Sequence, residues 1–158
     1  MTRRSRAREV ALQLLFQRDA NPDVPRPVIE QFARDRLGNP TAEAFCLALY
    51  DGVLRHIKDI DSRIAAASEN WKLHRMAACD RNVLRLGTYE IVHATPQTPG
   101  PVALDEAIEL VRRYGSEDSP SFVNGVLDKV FRVYMEQTQP VRAEEHQSEE
   151  TAPLTPHK

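Results

Sequence analysis

The residues best suited to chemistry crowd the start of the chain. Arg3, Arg4, Arg6 and Arg8 come first and Arg18 follows, with Glu9 the only acid before Asp19. A guanidinium group is permanently charged and can clamp a phosphate with two parallel hydrogen bonds, a fork that lysine lacks. Every basic residue of this head is arginine. The spacing admits two readings, contact with nucleic-acid phosphates or a solubilising terminus.

A second candidate is the run Ser119-Pro120-Ser121-Phe122-Val123-Asn124-Gly125. Ser119 as a cap and Pro120 in the first helical position predict a helix start. Amides and small hydroxyls then gather at a positive helix end, where an anion is favoured. There Phe122 can stack on a base and Asn124 can hydrogen-bond one; alternatively Phe122 is core and Ser119 only a cap. Gly125, inside the expected helix, costs about 1 kcal/mol relative to alanine. Close approach of another backbone would offset that cost, as would a ligand lying across the helix.

Signs of catalysis are missing. The six glycines are scattered with no two closer than ten residues, so no phosphate-cradling loop is present. The five histidines form no i,i+4 pair and the two cysteines no close pair, which leaves no metal motif. No serine sits on a nucleophile-elbow pattern. Asp105, Glu106 and Glu109 read as the solvated face of an amphipathic helix rather than as catalytic carboxylates. No catalytic residue, metal ligand or cofactor is assigned.

The elements that must position these groups are helical. An apolar stripe of Ala7, Val10, Ala11, Leu14 and Leu15 marks a helix over residues 4–18, with Leu12 and Phe16 as a second patch. The arginines share no single face, which predicts a frayed first turn or mobile arm. A second helix starts near Pro25 or Pro27 and stops at Gly38-Asn39-Pro40. A long third follows, capped by Thr41 and running to about residue 68 with a kink near Lys58-Asp59. Residues 69–80 read as a connector with a short helix. Helices follow over 81–93 and 102–114, separated by Thr95-Pro96-Gln97-Thr98-Pro99-Gly100-Pro101, which excludes helix. Gly115 is expected to end the second of these in the left-handed conformation. The last helix starts at Ser119 and fades after Gln137.

The chain is 158 residues long, 41% hydrophobic and 28% charged, ordinary for one soluble domain. Its net charge of −2 excludes a uniformly basic coat, but the sum hides an arginine head and a tail with Glu144, Glu145, Glu149 and Glu150. That tail has too little apolar surface to offset its ordering entropy, so disorder is expected over residues 138–158. No apolar run reaches the roughly 20 residues of a membrane span, and no secretory signal pattern appears. Cys46 and Cys79 read as buried small hydrophobes rather than a disulfide. The expectation is a cytoplasmic, all-α protein of six or seven helices, with residues 1–137 as the domain.

Three segments then match a known family. Arg6-Ala7-Arg8-Glu9-Val10-Ala11-Leu12-Gln13-Leu14-Leu15-Phe16 resembles the opening helix of the NusB family of bacterial transcription antitermination factors. Asp80-Arg81-Asn82-Val83-Leu84-Arg85-Leu86-Gly87-Thr88-Tyr89-Glu90-Ile91 resembles its central signature. Leu104-Asp105-Glu106-Ala107-Ile108-Glu109-Leu110, Tyr114-Gly115, Ser119 and Phe122-Val123-Asn124-Gly125-Val126-Leu127-Asp128-Lys129 resemble its C-terminal signature, in the same order. Asp105 departs from the asparagine common there, and the acidic tail is longer than the family core requires.

The resemblance implies two packed helical subdomains and a non-enzymatic protein that binds the boxA element of nascent RNA. It also implies pairing with NusE, a small-subunit ribosomal protein, and assembly with RNA polymerase and other Nus factors. Carried over by motif, Arg3, Arg4, Arg6 and Arg8 would contact RNA phosphates, Phe122 and Asn124 would lie near bases, and Ser119 would belong to the same RNA-binding set. Asp80, Arg81 and Arg85 would face NusE. Members differ in dimerisation, and a homodimer through the Leu12/Phe16 face would cover the arginine head. NusB-like domains also occur fused to RNA methyltransferases, so the rival readings are an accessory RNA-binding domain and a helical adaptor with an incidental basic terminus.

Overall fold

The structure, a computed structural model, describes residues 2–69 and 71–138. Seven α-helices and one short 3-10 turn make up these residues, with no strand among them. The helices are α1 (Arg3–Ala20), α2 (Arg26–Leu37), α3 (Pro40–Arg55), α4 (Ile57–Ser68), α5 (Ala78–Val92), α6 (Gly100–Tyr114) and α7 (Ser119–Thr138), with the 3-10 turn at Leu73–Arg75. The first three pack together, the last four pack together, and α5 joins the halves through α1 and α3. This is the two-subdomain bundle that the sequence implied. The expectations for residues 139–158 lie outside the described residues.

The core explains why α1 carries two apolar patches. Ala7, Val10, Ala11, Leu14 and Leu15 are buried as their spacing predicts, and Leu12 is buried as well, at 0% exposure. Neighbours α2, α3 and α5 surround α1 on several sides, so one stripe cannot serve them all. Leu12 therefore packs within its own chain, while Phe16 is only partly buried against the core. Burial pushes the Cys46 thiol up to about 12 and the Cys79 thiol to about 11, so both remain neutral packing residues.

Several boundaries fall where packing places them rather than where the pattern pointed. The long third helix is two helices, broken at His56 with φ −107° and ψ 16°. The His56 ring stacks on His93 at the end of α5, 4.0 Å between centroids, and the Tyr89 ring covers Gly52 one turn earlier. A Cβ on Gly52 would lie 2.1 Å from that ring. The break thus seats α5 against the α3–α4 corner. The prolines before α6 do not exclude its first turn, because Pro101 occupies a position whose N–H has no helical partner. Gly115 is extended at φ −93°, ψ −176°, not left-handed. It is small because Ser119 approaches to 2.7 Å of where its Cβ would stand.

The cap of α3 is Asn39, not Thr41. Its side-chain oxygen accepts from the Ala42 amide at 3.0 Å, and Pro40 fills the first turn. Asn39→Ala is expected to lower stability by about 1 kcal/mol, read from urea unfolding midpoints at constant m-value. A change below about 0.2 kcal/mol would show that the cap contributes nothing.

Candidate nucleic-acid interface

The arginine head is an ordered helix turn. Thr2 caps α1 by accepting from the Ser5 amide at 3.0 Å, and the Arg6 amide donates to the Thr2 carbonyl at 3.0 Å. The Ser5 hydroxyl donates to Glu106 Oε1 at 2.9 Å, tying this turn to α6. The expected frayed arm is therefore replaced by a turn fixed from both sides. A periodicity argument misses it because both anchors are polar and one is supplied by a residue distant in sequence.

The four arginines part company on this turn. Arg3 and Arg4 are exposed, and the Arg4 guanidinium lies over the Phe45 ring of α3 at 5.1 Å. Arg6 is 41% exposed and donates to Glu9 at 2.7 Å. Arg8 is buried. Its Nε and Nη2 donate to the Glu90 carboxylate at 2.8 to 3.0 Å, and Nη1 lies 3.5 Å from Glu106. One turn beyond Arg4, Arg8 also meets Phe45, but the buried Glu90 of α5 draws its charge inward. This guanidinium joins α1 to α5 and is not presented to a phosphate.

Glu9 makes the hinge between the head and the C-terminal half. Buried at the base of α1, it accepts from Arg6, from Arg113 at 3.2 Å and from the Tyr114 hydroxyl. Desolvation, together with the hydrogen bond to Glu9, raises the Tyr114 pKa and keeps its hydroxyl a donor. The end of α6 is thereby held against α1, next to the Arg6–Glu9 pair.

At the head of α7 the predicted residues divide again. Ser119 is 1% exposed, and its hydroxyl accepts from the Ser116 amide at 3.0 Å. It closes the α6–α7 turn from within and is not offered to a ligand. Phe122 is half-buried against the core and meets Trp71 edge to face, 6.2 Å between centroids at 71°. Asn124 and Gly125 are exposed, and nothing lies within 4 Å of a Cβ built on Gly125. No second backbone approaches that glycine, so close packing does not explain it.

The central segment is equally engaged. Arg81 donates to Asp19 at 3.2 Å, and Arg85 grips Asp61 with two bonds of 2.8 and 2.9 Å. Asn82 donates to the same Asp19 at 2.8 Å. These contacts fasten α5 to α1 and α4, leaving a half-buried charged ridge. Asp80, in the first turn of α5, is different: its Oδ1 is buried and has no hydrogen-bond partner among the described residues. Sequence reasoning did not single out Trp71. The signal was available, since Trp71-Lys72-Leu73-His74-Arg75 interleaves an aromatic with bases.

Among the described residues, no cluster of acidic, histidine or cysteine side chains is arranged to hold a metal ion. Nor is any helix among them long and apolar enough to cross a membrane. What the described residues offer is a fixed cationic turn at the start of α1 and, separately, a half-buried aromatic at the start of α7, groups suited to phosphates and to unstacked bases.

Residues 5–132 match the model of the NusB family. The chain is 46% identical over 130 residues to the transcription antitermination protein NusB of Sorangium cellulosum, covering 82% of this chain and 92% of that one. It is 40% identical over 142 residues to the NusB of Solibacter usitatus, covering 89% and 96%. Among solved structures, T. maritima NusB superposes with a TM-score of 0.72 at 36% identity, over 84% of this chain and 92% of that one. A crystal structure of the antitermination factors NusB and NusE in complex with dsRNA gives a chain at TM-score 0.74 and 30% identity, covering 85% and 99%.

Proposed function

The chain belongs to the NusB family, and from that premise we propose that it is a transcription antitermination factor which binds boxA RNA of nascent transcripts together with NusE. It acts in the cytoplasm as part of a Nus-factor complex on RNA polymerase and is a binding module rather than an enzyme. The observation that carries this reading is the capped first turn of α1, which holds Arg3, Arg4 and Arg6 at the surface.

These three arginines supply sequence-independent grip on phosphates. Phe122 and Asn124, at the head of α7, address bases. Arg8 and Ser119 support the site from inside. Arg81 and Arg85, locked to Asp19 and Asp61, form the ridge offered to NusE, with Asp80 at the border between that ridge and the Phe122 end. A small acidic protein with about three phosphate contacts binds RNA weakly alone, and a partner that extends the RNA surface raises affinity without new chemistry here.

Titration of boxA-type and scrambled RNA with and without NusE tests the proposal. The expected result is tighter binding on adding NusE and a preference for boxA over the scrambled strand. Equal binding of the two strands with NusE present overturns it and favours the adaptor reading.

A further inference from the structure

The first turn of α1 runs against ordinary helix electrostatics. A helix N-terminus is the positive end of the peptide dipoles and favours acids, yet this turn holds Arg3, Arg4 and Arg6 and no acid of its own. Arg4 and Arg8, four residues apart, add like-charge repulsion. Both guanidinium groups lie over the same Phe45 ring, at 5.1 and 5.3 Å from its centroid. Glu9 answers Arg6 from farther along the helix. The rest of the compensating charge has to come from another element.

Glu106 of α6 supplies it. Its Oε1 accepts from the Ser5 hydroxyl at 2.9 Å, and its Oε2 lies 3.5 Å from Arg8 Nη1. Serine has a single hydroxyl proton. With that proton directed at Glu106, the 2.8 Å contact between the Thr2 and Ser5 hydroxyls runs from Thr2 as donor to Ser5 as acceptor. The Thr2 oxygen then turns its lone pairs to the Ser5 amide, the 3.0 Å bond that caps α1. One carboxylate thus orients the whole cap. We infer that Glu106 is a positioning residue for the RNA interface. From α6 it provides the missing negative charge and fixes the Thr2–Ser5 cap, so that Arg3, Arg4 and Arg6 project from a formed helix rather than a loose arm.

The inference deepens the RNA-binding reading and rests on it, and it predicts the opposite sign from charge counting. A carboxylate near a phosphate site repels RNA, so its removal alone would tighten binding. A loose arm, however, must be ordered when RNA binds. Glu106→Gln should therefore weaken binding about three- to tenfold, part of the roughly 10–50-fold that three phosphate contacts supply.

The full chain and its variants are titrated with boxA-type RNA in the presence of NusE. Amide exchange is followed at Ser5 and Arg6, the two amides bonded to Thr2, and along α7. Glu106→Gln should speed exchange at Ser5 and Arg6 and leave α7 unchanged. Ser5→Ala should reproduce the loss of affinity and add little to Glu106→Gln, since both break one link. Glu109→Gln removes an equal charge from a side chain paired with Arg112, and should leave affinity unchanged or raise it. Equal or tighter RNA binding by Glu106→Gln, while the triple variant of Arg3, Arg4 and Arg6 binds poorly, overturns the positioning role and leaves the RNA reading standing. Faster exchange throughout α1 and α7 makes Glu106 a general stabiliser of the bundle and also overturns it. No RNA binding by the unmodified chain with NusE present removes both.

Discussion

Replacing Glu90 by alanine is expected to lower stability by about 3–5 kcal/mol, because it strands the Arg8 guanidinium inside the bundle. Both side chains are at most 5% exposed, and three hydrogen bonds of 2.8 to 3.0 Å join them. Glu106 at 3.5 Å is too distant to take over the charge fully. The Thr98 hydroxyl also donates to Glu90 at 3.0 Å, so the loop before α6 loosens with it. Natural domains have only about 5–15 kcal/mol in total, so this change removes a large share. Glu90→Gln keeps the shape and some of the acceptors and should lose markedly less. Urea unfolding followed by circular dichroism measures both variants. A loss under 1 kcal/mol for alanine would mean that Glu106 or water takes over the Arg8 charge once Glu90 is gone.

The largest functional effect is expected from Arg3→Ala, Arg4→Ala and Arg6→Ala combined. Three phosphate contacts on a single strand correspond to a slope of about 2 in log K against log salt, which at 0.15 M salt amounts to roughly 10–50-fold in affinity. The triple variant should lose that affinity and flatten the salt dependence, for boxA and scrambled RNA alike, since phosphate contacts carry no sequence. Its fold should hold. Alanine suits a helix at least as well as arginine. Glu9, deprived of Arg6, keeps Arg113 and the Tyr114 hydroxyl. Adding Arg8→Ala is expected to destabilise the bundle instead of deepening the RNA defect, which distinguishes the buried arginine from the exposed ones. A salt slope identical to that of the unmodified chain would remove the head from the interface.

The contrast between Arg8 and its neighbours marks the limit of what the residue order determines. Helical periodicity alone placed the α1 stripe, the amphipathic α6 and the apolar side of α7, because each such face has one period and one destination. The family motifs likewise lie in local runs, so fold class and relatives were legible in the chain itself. Three things depended on tertiary geometry, two of them on contacts between residues far apart in sequence and one on the local shape of the α6–α7 turn. Glu90 stands 82 positions from Arg8 and decides that this charge faces inward. Ser116 and Gly115 decide that the Ser119 hydroxyl closes a turn. Phe122 reaches across to Trp71 and ties an ambiguous connector to the head of α7. A pattern of residue types states which side of a helix is apolar; which charged or aromatic group remains free to meet a ligand is settled only when the helices pack and some of those groups find partners in one another.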